Sequence, residues 1–205
     1  MNDEEQIVIR RARDGDDLER IAELIYKTDA YIYPYWFESV ENCKNILPNF
    51  IKQDGFIFNL KNIDVAVKKN SNEILGIICS HKNSDNLDFD YSQLEQYNER
   101  YYFTINNYVK KVINEVKKAD YAYISNVCVH ENARGLGIAG KLIDHVKEKY
   151  KEQLLSEIQL DVIVNNDSAV NAYHKNNFNE VGSTYSGFAD PAEEKPVVVS
   201  MHTKL

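Results

Sequence analysis

An apolar, strand-forming run at residues 121–129 passes into a polar turn, then Gly135, Gly137 and Gly140, then an amphipathic helical stretch. No other feature constrains the chain so tightly. Glycines at such a junction remove side chains where the backbone must approach a ligand, and the first turn of a helix presents N–H groups without intrahelical partners. With the positive end of the helix dipole added, the junction is a site for an anion, above all a phosphate.

Three phosphate-binding templates fit the glycines. Gly135-x-Gly137-x-x-Gly140 satisfies the dinucleotide fingerprint of an oxidoreductase, with Asp161 about 20 residues on. Five residues, His130 to Arg134, nevertheless separate these glycines from the strand, and Asp161 falls inside the next apolar run. Gly135 and Gly140-Lys141 match most of a P-loop, but Leu142 stands where Ser or Thr must hold magnesium. The third template is Arg-x-x-Gly-x-Ala, carried by Arg134, Gly137 and Ala139.

A second motif decides between them. After an apolar run at 158–164, residues 165–178 place Asn166, Ala169, Tyr173, Lys175 and Phe178 at fixed spacing. The two motifs together resemble the GNAT superfamily of acyl-CoA-dependent N-acyltransferases: its pyrophosphate loop, then its Asn-x-x-Ala-x-x-x-Tyr-x-Lys-x-Gly-Phe segment. Asn177 replaces the usual glycine, and Asn is the next most tolerant residue of the left-handed helix-ending conformation. The resemblance covers the C-terminal half closely and the N-terminal half in pattern.

That resemblance implies a single domain over 1–205, α/β of the α+β type. Its mixed, mostly antiparallel sheet would be splayed at the Val127 strand, with helices on both faces. It implies acetyl-CoA as cofactor, held at Arg134, Gly135, Leu136, Gly137, Ile138, Ala139 and Gly140, by the backbone of Val127, Cys128 and Val129, and by Asn166 and Asn171. Asn166 reads equally well as a helix cap. Tyr173 would be the general acid for the departing thiolate, since a phenol of pKa about 10 stays protonated until needed. The base is open among His81, Glu38 and Asp161, with Ser125 and Asn126 as hydrogen-bonding positioners. The aromatic segment with Tyr31, Tyr33, Tyr35 and Trp36 falls where the family lines its acceptor pocket, as does Asn126; core packing is its other reading. Cys128 is a nucleophile on one reading and an inert small hydrophobe on the other.

The function expected is acetyl transfer to a primary amine by direct attack in a ternary complex, the amine belonging to a small molecule or a peptide. A non-catalytic acyl-CoA-binding module and a dinucleotide-dependent oxidoreductase are the alternatives. A net charge of −8 argues against nucleic acid, which needs a basic face. No apolar run approaches the roughly 20 residues of a membrane span, and Met1 to Gln6 are too acidic and polar for a secretory leader. Cys43, Cys79 and Cys128 lie far apart without metal-ligand spacing, so no metal and a reducing, cytoplasmic setting are expected.

Along the chain, 7–10 reads as a strand and 15–28 as a helix capped by Asp14. A second helix runs from Ser39 toward Phe50, with Pro48 making its end uncertain. Strands at 64–68 and 73–80 flank a hairpin turn. A helical insertion spans about 82–120; its stripe of Leu94, Tyr97, Tyr101, Ile105, Tyr108, Val112 and Val116 needs cover from its own domain or a second copy of the chain. Leu142, Ile143, Val146, Tyr150 and Leu154 form the buried stripe of the helix after the glycines, and strands at 180–185 and 196–201 complete the pattern.

Overall fold

The computed structural model describes residues 6–85, 87–97, 121–185 and 197–205. The insertion's stripe from Tyr101 to Val116 therefore lies outside the described residues.

The chain opens with strand β1 (Ile7–Arg11) and helix α1 (Leu18–Tyr26). Asp17, rather than Asp14, caps α1, its carboxylate accepting the Arg20 N–H at 2.9 Å. The aromatic segment is itself a short helix, α2 (Ile32–Phe37), started by Asp29, whose Oδ1 accepts the N–H groups of Tyr31 and Ile32. Pro34 is tolerated there because it stands in the first turn, where its missing N–H has no partner to lose. Ser39 caps α3 (Val40–Ile46), which is shorter than the sequence suggests. Pro48 tightens the continuation into one 3₁₀ turn, Leu47–Asn49.

Strands β2 (Ile63–Lys68) and β3 (Ile74–Lys82) form the expected hairpin. Then come β4 (Tyr121–Val129), α4 (Ile138–Glu152), β5 (Glu157–Ile163), α5 (Asp167–Lys175), β6 (Asn179–Tyr185) and β7 (Val197–Lys204). Leu154 does not belong to the buried stripe of α4: the helix has ended, and Leu154 turns out to solvent at 88% exposure with φ of 62°. Asn177 does take the left-handed conformation, at φ 62°.

The seven strands form one mixed sheet in the order β1-β2-β3-β4-β5-β7-β6, with β4–β5 the parallel pair. Trp36, Phe37, Phe56, Phe58 and Ile21 pack with α1–α3 on one face. Leu142, Ile143, Val146, Tyr173 and Phe178 pack with α4 and α5 on the other. Helices thus cover both faces.

Two irregularities in β4 break the regular pairing at the middle of the sheet. On its β3 side, Cys79 pairs with Asn126 but Ser80 pairs with Ile124, so Ser125 is an extra, bulged residue. On its β5 side, pairing runs only from Tyr121↔Glu157 to Ile124↔Leu160, although the strands continue to Val129 and Ile163. Beyond Ile124 the two strands part, opening a wedge.

Candidate active site

The wedge is bounded by Ser125–Val129 on one side and by Asp161–Ile163 on the other. β5 keeps its antiparallel bonds to β7 along this stretch, including Asp161↔Ser200, so only its β4-facing edge is released. Val127 and Val129 are half-buried and pack toward the α4 face, while Cys128 points to the α1–α3 side and is buried. Burial pushes the Cys128 thiol up to about 11. It is therefore a thiol, not a thiolate, at neutral pH.

The glycine turn follows β4 in the chain. Gly137 is the N-cap of α4 in the left-handed conformation (φ 71°), and no side chain caps the helix. Gly135 is likewise left-handed, at φ 81°, and a Cβ on either glycine would meet nothing within 4 Å among the described residues. The first-turn N–H groups of Ile138, Ala139 and Gly140 thus meet no capping side chain among the described residues, and the Asn176 side chain would lie 3.9 Å from a Cβ on Gly140. Arg134 and Leu136 are exposed beside the glycines, whereas Ile138 anchors the helix in the core at 1% exposure. An uncapped helix N-terminus of this kind suits an anion such as a phosphate.

Helix α5 follows β5 in the chain. Asn166 caps it, Oδ1 accepting the Ala169 N–H at 3.2 Å and the Ser168 hydroxyl at 3.0 Å. That use of Oδ1 leaves its amide Nδ2 to donate elsewhere. Asn171 is exposed on the same helix. Tyr173 is buried, its ring edge-on to Phe178 at 5.7 Å, and burial raises its phenol well above the ordinary tyrosine range.

On the α1–α3 face of β4, Asn126 is buried and donates from Nδ2 to Thr28 Oγ1 (2.7 Å) and to the Tyr33 hydroxyl (2.6 Å). Tyr33 packs against Trp36 at 5.4 Å, and both are buried, while Tyr31 and Tyr35 are half-buried. His81 is not the surface residue that a strand-end histidine suggests. It is 1% exposed, Nδ1 lies 3.2 Å from the Lys82 carbonyl, and burial lowers its pKa. Glu38, by contrast, is exposed at the end of α2.

Sequence reasoning missed Tyr123, Thr28 and Ser200. The Tyr123 hydroxyl donates to Asp161 Oδ2 at 2.9 Å, and Ser200 donates to Asp161 Oδ1 at 2.5 Å. Continuing the β4–β5 register sets Asp161 beside Ser125, at the point where the strands part. Only the bulge explains why Tyr123 and Asn126, three residues apart, share a face, and no sequence signal marks it.

A model of the acetyltransferase (GNAT) family matches residues 31–178, from the aromatic helix through Phe178. The chain belongs to the GNAT acetyltransferase family. Comparison with curated protein sequences gives no match. Among solved structures, a mosquito arylalkylamine N-acetyltransferase-like protein aligns with 98% of this chain and 100% of its own, at 12% identity and a TM-score of 0.63. A NatC complex bound to Gag peptide and CoA aligns with 98% of this chain and 99% of its own, at 16% identity and a TM-score of 0.60. A Drosophila melanogaster polyamine N-acetyltransferase aligns with 98% and 100%, at 11% identity and 0.58. At such identities these likenesses carry the fold. In this GNAT chain the uncapped helix, the strand wedge and Tyr173 lie in the matched segment.

Proposed function

We propose that this acetyltransferase moves an acetyl group from acetyl-CoA to a primary amine, in the cytoplasm, by direct attack within a ternary complex. The observation that carries the reading is the parting of β4 from β5 beyond Ile124, in the strand that leads into the uncapped N-terminus of α4. Bound acetyl-CoA would supply an activated thioester there. Backbone N–H groups from Gly135 to Gly140 hold the pyrophosphate, and the freed edge of Val127–Val129 and Asn166 Nδ2 hydrogen-bond the pantetheine arm. Tyr173, kept protonated by burial, is the proton donor for the departing thiolate. The raised thiol pKa of Cys128 supports direct attack, because very little of this thiol is ionised at neutral pH to carry the acetyl group first. Neighbours named as an arylalkylamine N-acetyltransferase-like protein and a polyamine N-acetyltransferase, and one bound to a peptide and CoA, support an amine as the acceptor without choosing among them.

Initial rates over a grid of acetyl-CoA and amine concentrations test the order of events. Intersecting double-reciprocal lines are expected; parallel lines would mean an acetylated enzyme and overturn direct attack. Tyr173→Phe should lower kcat about a hundredfold with acetyl-CoA affinity unchanged. Unaltered kcat would remove Tyr173 from the role of acid.

A further inference from the structure

Two buried hydrogen-bond acceptors on the α1–α3 face of the sheet have no donor among the described residues. The first is Asn126 Oδ1. The orientation of this amide is fixed by its neighbours. The Thr28 hydroxyl spends its proton on the Ile25 carbonyl at 2.6 Å, so it can only accept from Asn126, and the amide nitrogen must face it. The oxygen is left pointing elsewhere, in a residue 4% exposed.

The second is His81 Nε2, in a residue 1% exposed. The Lys82 carbonyl beside Nδ1 can only accept, so Nδ1 carries the ring proton and Nε2 is a lone pair. Register relates the two groups. His81 pairs with Tyr123 and Cys79 with Asn126, and the Ser125 bulge returns Asn126 to the face that Tyr123 and His81 share. The His81 and Tyr123 rings lie 5.8 Å apart, in keeping with that shared face. Asn126 and His81 are thus diagonal neighbours, with a Cα spacing of about 7–8 Å. Asn126 stands two residues past Ile124, where β4 leaves β5, and His81 lies across from Tyr123 just before that point; Asp161, held by Tyr123, follows the last paired residue of β5.

Native proteins seldom leave buried acceptors unmatched. Here two of them lie on one face of the sheet, near the point where β4 and β5 part, and both ask for a donor. We propose that Asn126 Oδ1 and His81 Nε2 seat the attacking nitrogen, each accepting one of its N–H groups. This inference rests on the acetyl-transfer reading above and deepens it. A neutral primary amine has two N–H groups and matches both acceptors; an N-methylated amine has one and leaves an acceptor buried and unmatched. The site therefore selects primary over secondary amines by hydrogen-bond count rather than by size. Carboxylates and carbonyls, which offer no donor, are turned away from this position.

The experiment compares KM for the best amine acceptor and for its N-methyl analogue in the wild type, Asn126→Leu, Asn126→Asp and His81→Leu. Acetyl-CoA affinity, measured by calorimetry, reports that each variant is folded. Asn126→Leu should raise the primary-amine KM about tenfold, as expected for one lost hydrogen bond. Asn126→Asp loses the same donor to Thr28 and Tyr33 but keeps an acceptor oxygen, so it should hold KM within about threefold of the wild type. An equal rise in both would make Asn126 a tie between α1 and the sheet and overturn the proposal. His81→Leu should erase the preference for the primary amine, and a preference that survives also overturns it. Failure of the wild type to acetylate any amine despite binding acetyl-CoA is a different result, which sinks the transfer reading and this inference with it.

Discussion

Cys128 and Tyr173 are both acids made weaker by burial, and the same shift has opposite consequences for them. A thiol at about 11 has roughly one molecule in 10⁴ ionised at neutral pH, which silences a nucleophile. A phenol raised by burial keeps its proton, which suits a donor. Cys128→Ala should accordingly leave kcat within about twofold, and iodoacetamide should not inactivate the native enzyme; loss of activity in either test would contradict the inert reading. The types of both residues, and the place of Tyr173 in its motif, were readable from the sequence. The environment of His81 was not. Its ring lies against Tyr123, distant in the chain, and a single histidine at a strand end carries no mark of that neighbour. Asn126 shows the same limit from another direction, because strict alternation would separate it from Tyr123, and only the bulge at Ser125 puts them on one face.

At the scale of elements, the glycine turn was legible because its conformation is written in residue type. Gly137 sits at φ 71° as the N-cap of α4, where a residue with a side chain costs about 1–2 kcal/mol. Gly137→Val should raise KM for acetyl-CoA at least about tenfold by crowding the cradle, while the amine KM changes little. Equal effects on both substrates would show that the turn shapes the whole site rather than the anion cradle. Element ends were less legible. The sequence favours Asp14 as the cap of α1, but Asp16 turns inward to a two-point ion pair with Arg10, and the helix begins only after Asp17. Local spacing cannot distinguish three nearby aspartates; the partner on β1 does. In the same way Leu154 fits the helical period of α4, yet a left-handed turn has already ended the helix.

Across the whole molecule, α4 is pinned to the sheet by a buried polar cluster apart from the wedge. Asp64 on β2 is met by Lys149 Nζ at 2.7 Å and by His145 at 3.4 Å, and Lys149 and Tyr150 both reach Ser80 on β3. Burial opposes the charge on Asp64, but His145 and Lys149 outweigh it and hold the carboxyl below its usual range. The folded pKa is below the unfolded value of about 3.9, so this contribution is complete above that pH and is lost as pH falls through the folded value. Thermal melts should show an acid-side loss of stability that Asp64→Asn lacks, and Asp64→Ala, which strands Lys149, should cost about 3–5 kcal/mol. Identical acid profiles for wild type and Asp64→Asn would contradict the assignment. The alternation of strands and helices announced the α/β class, whereas the placing of β7 between β5 and β6 is a non-local pairing that no local pattern encodes.

If the wedge, the glycine cradle and Tyr173 make one acetyl-transfer site, free thiol must leave acetyl-CoA only when an acceptor is present. Thiol release with a panel of primary amines, alongside mass spectrometry of the acceptor, measures this directly. Release should depend on the amine and match N-acetylated product one for one. Absence of release with every amine, or release that proceeds equally without one, would rule out such a site.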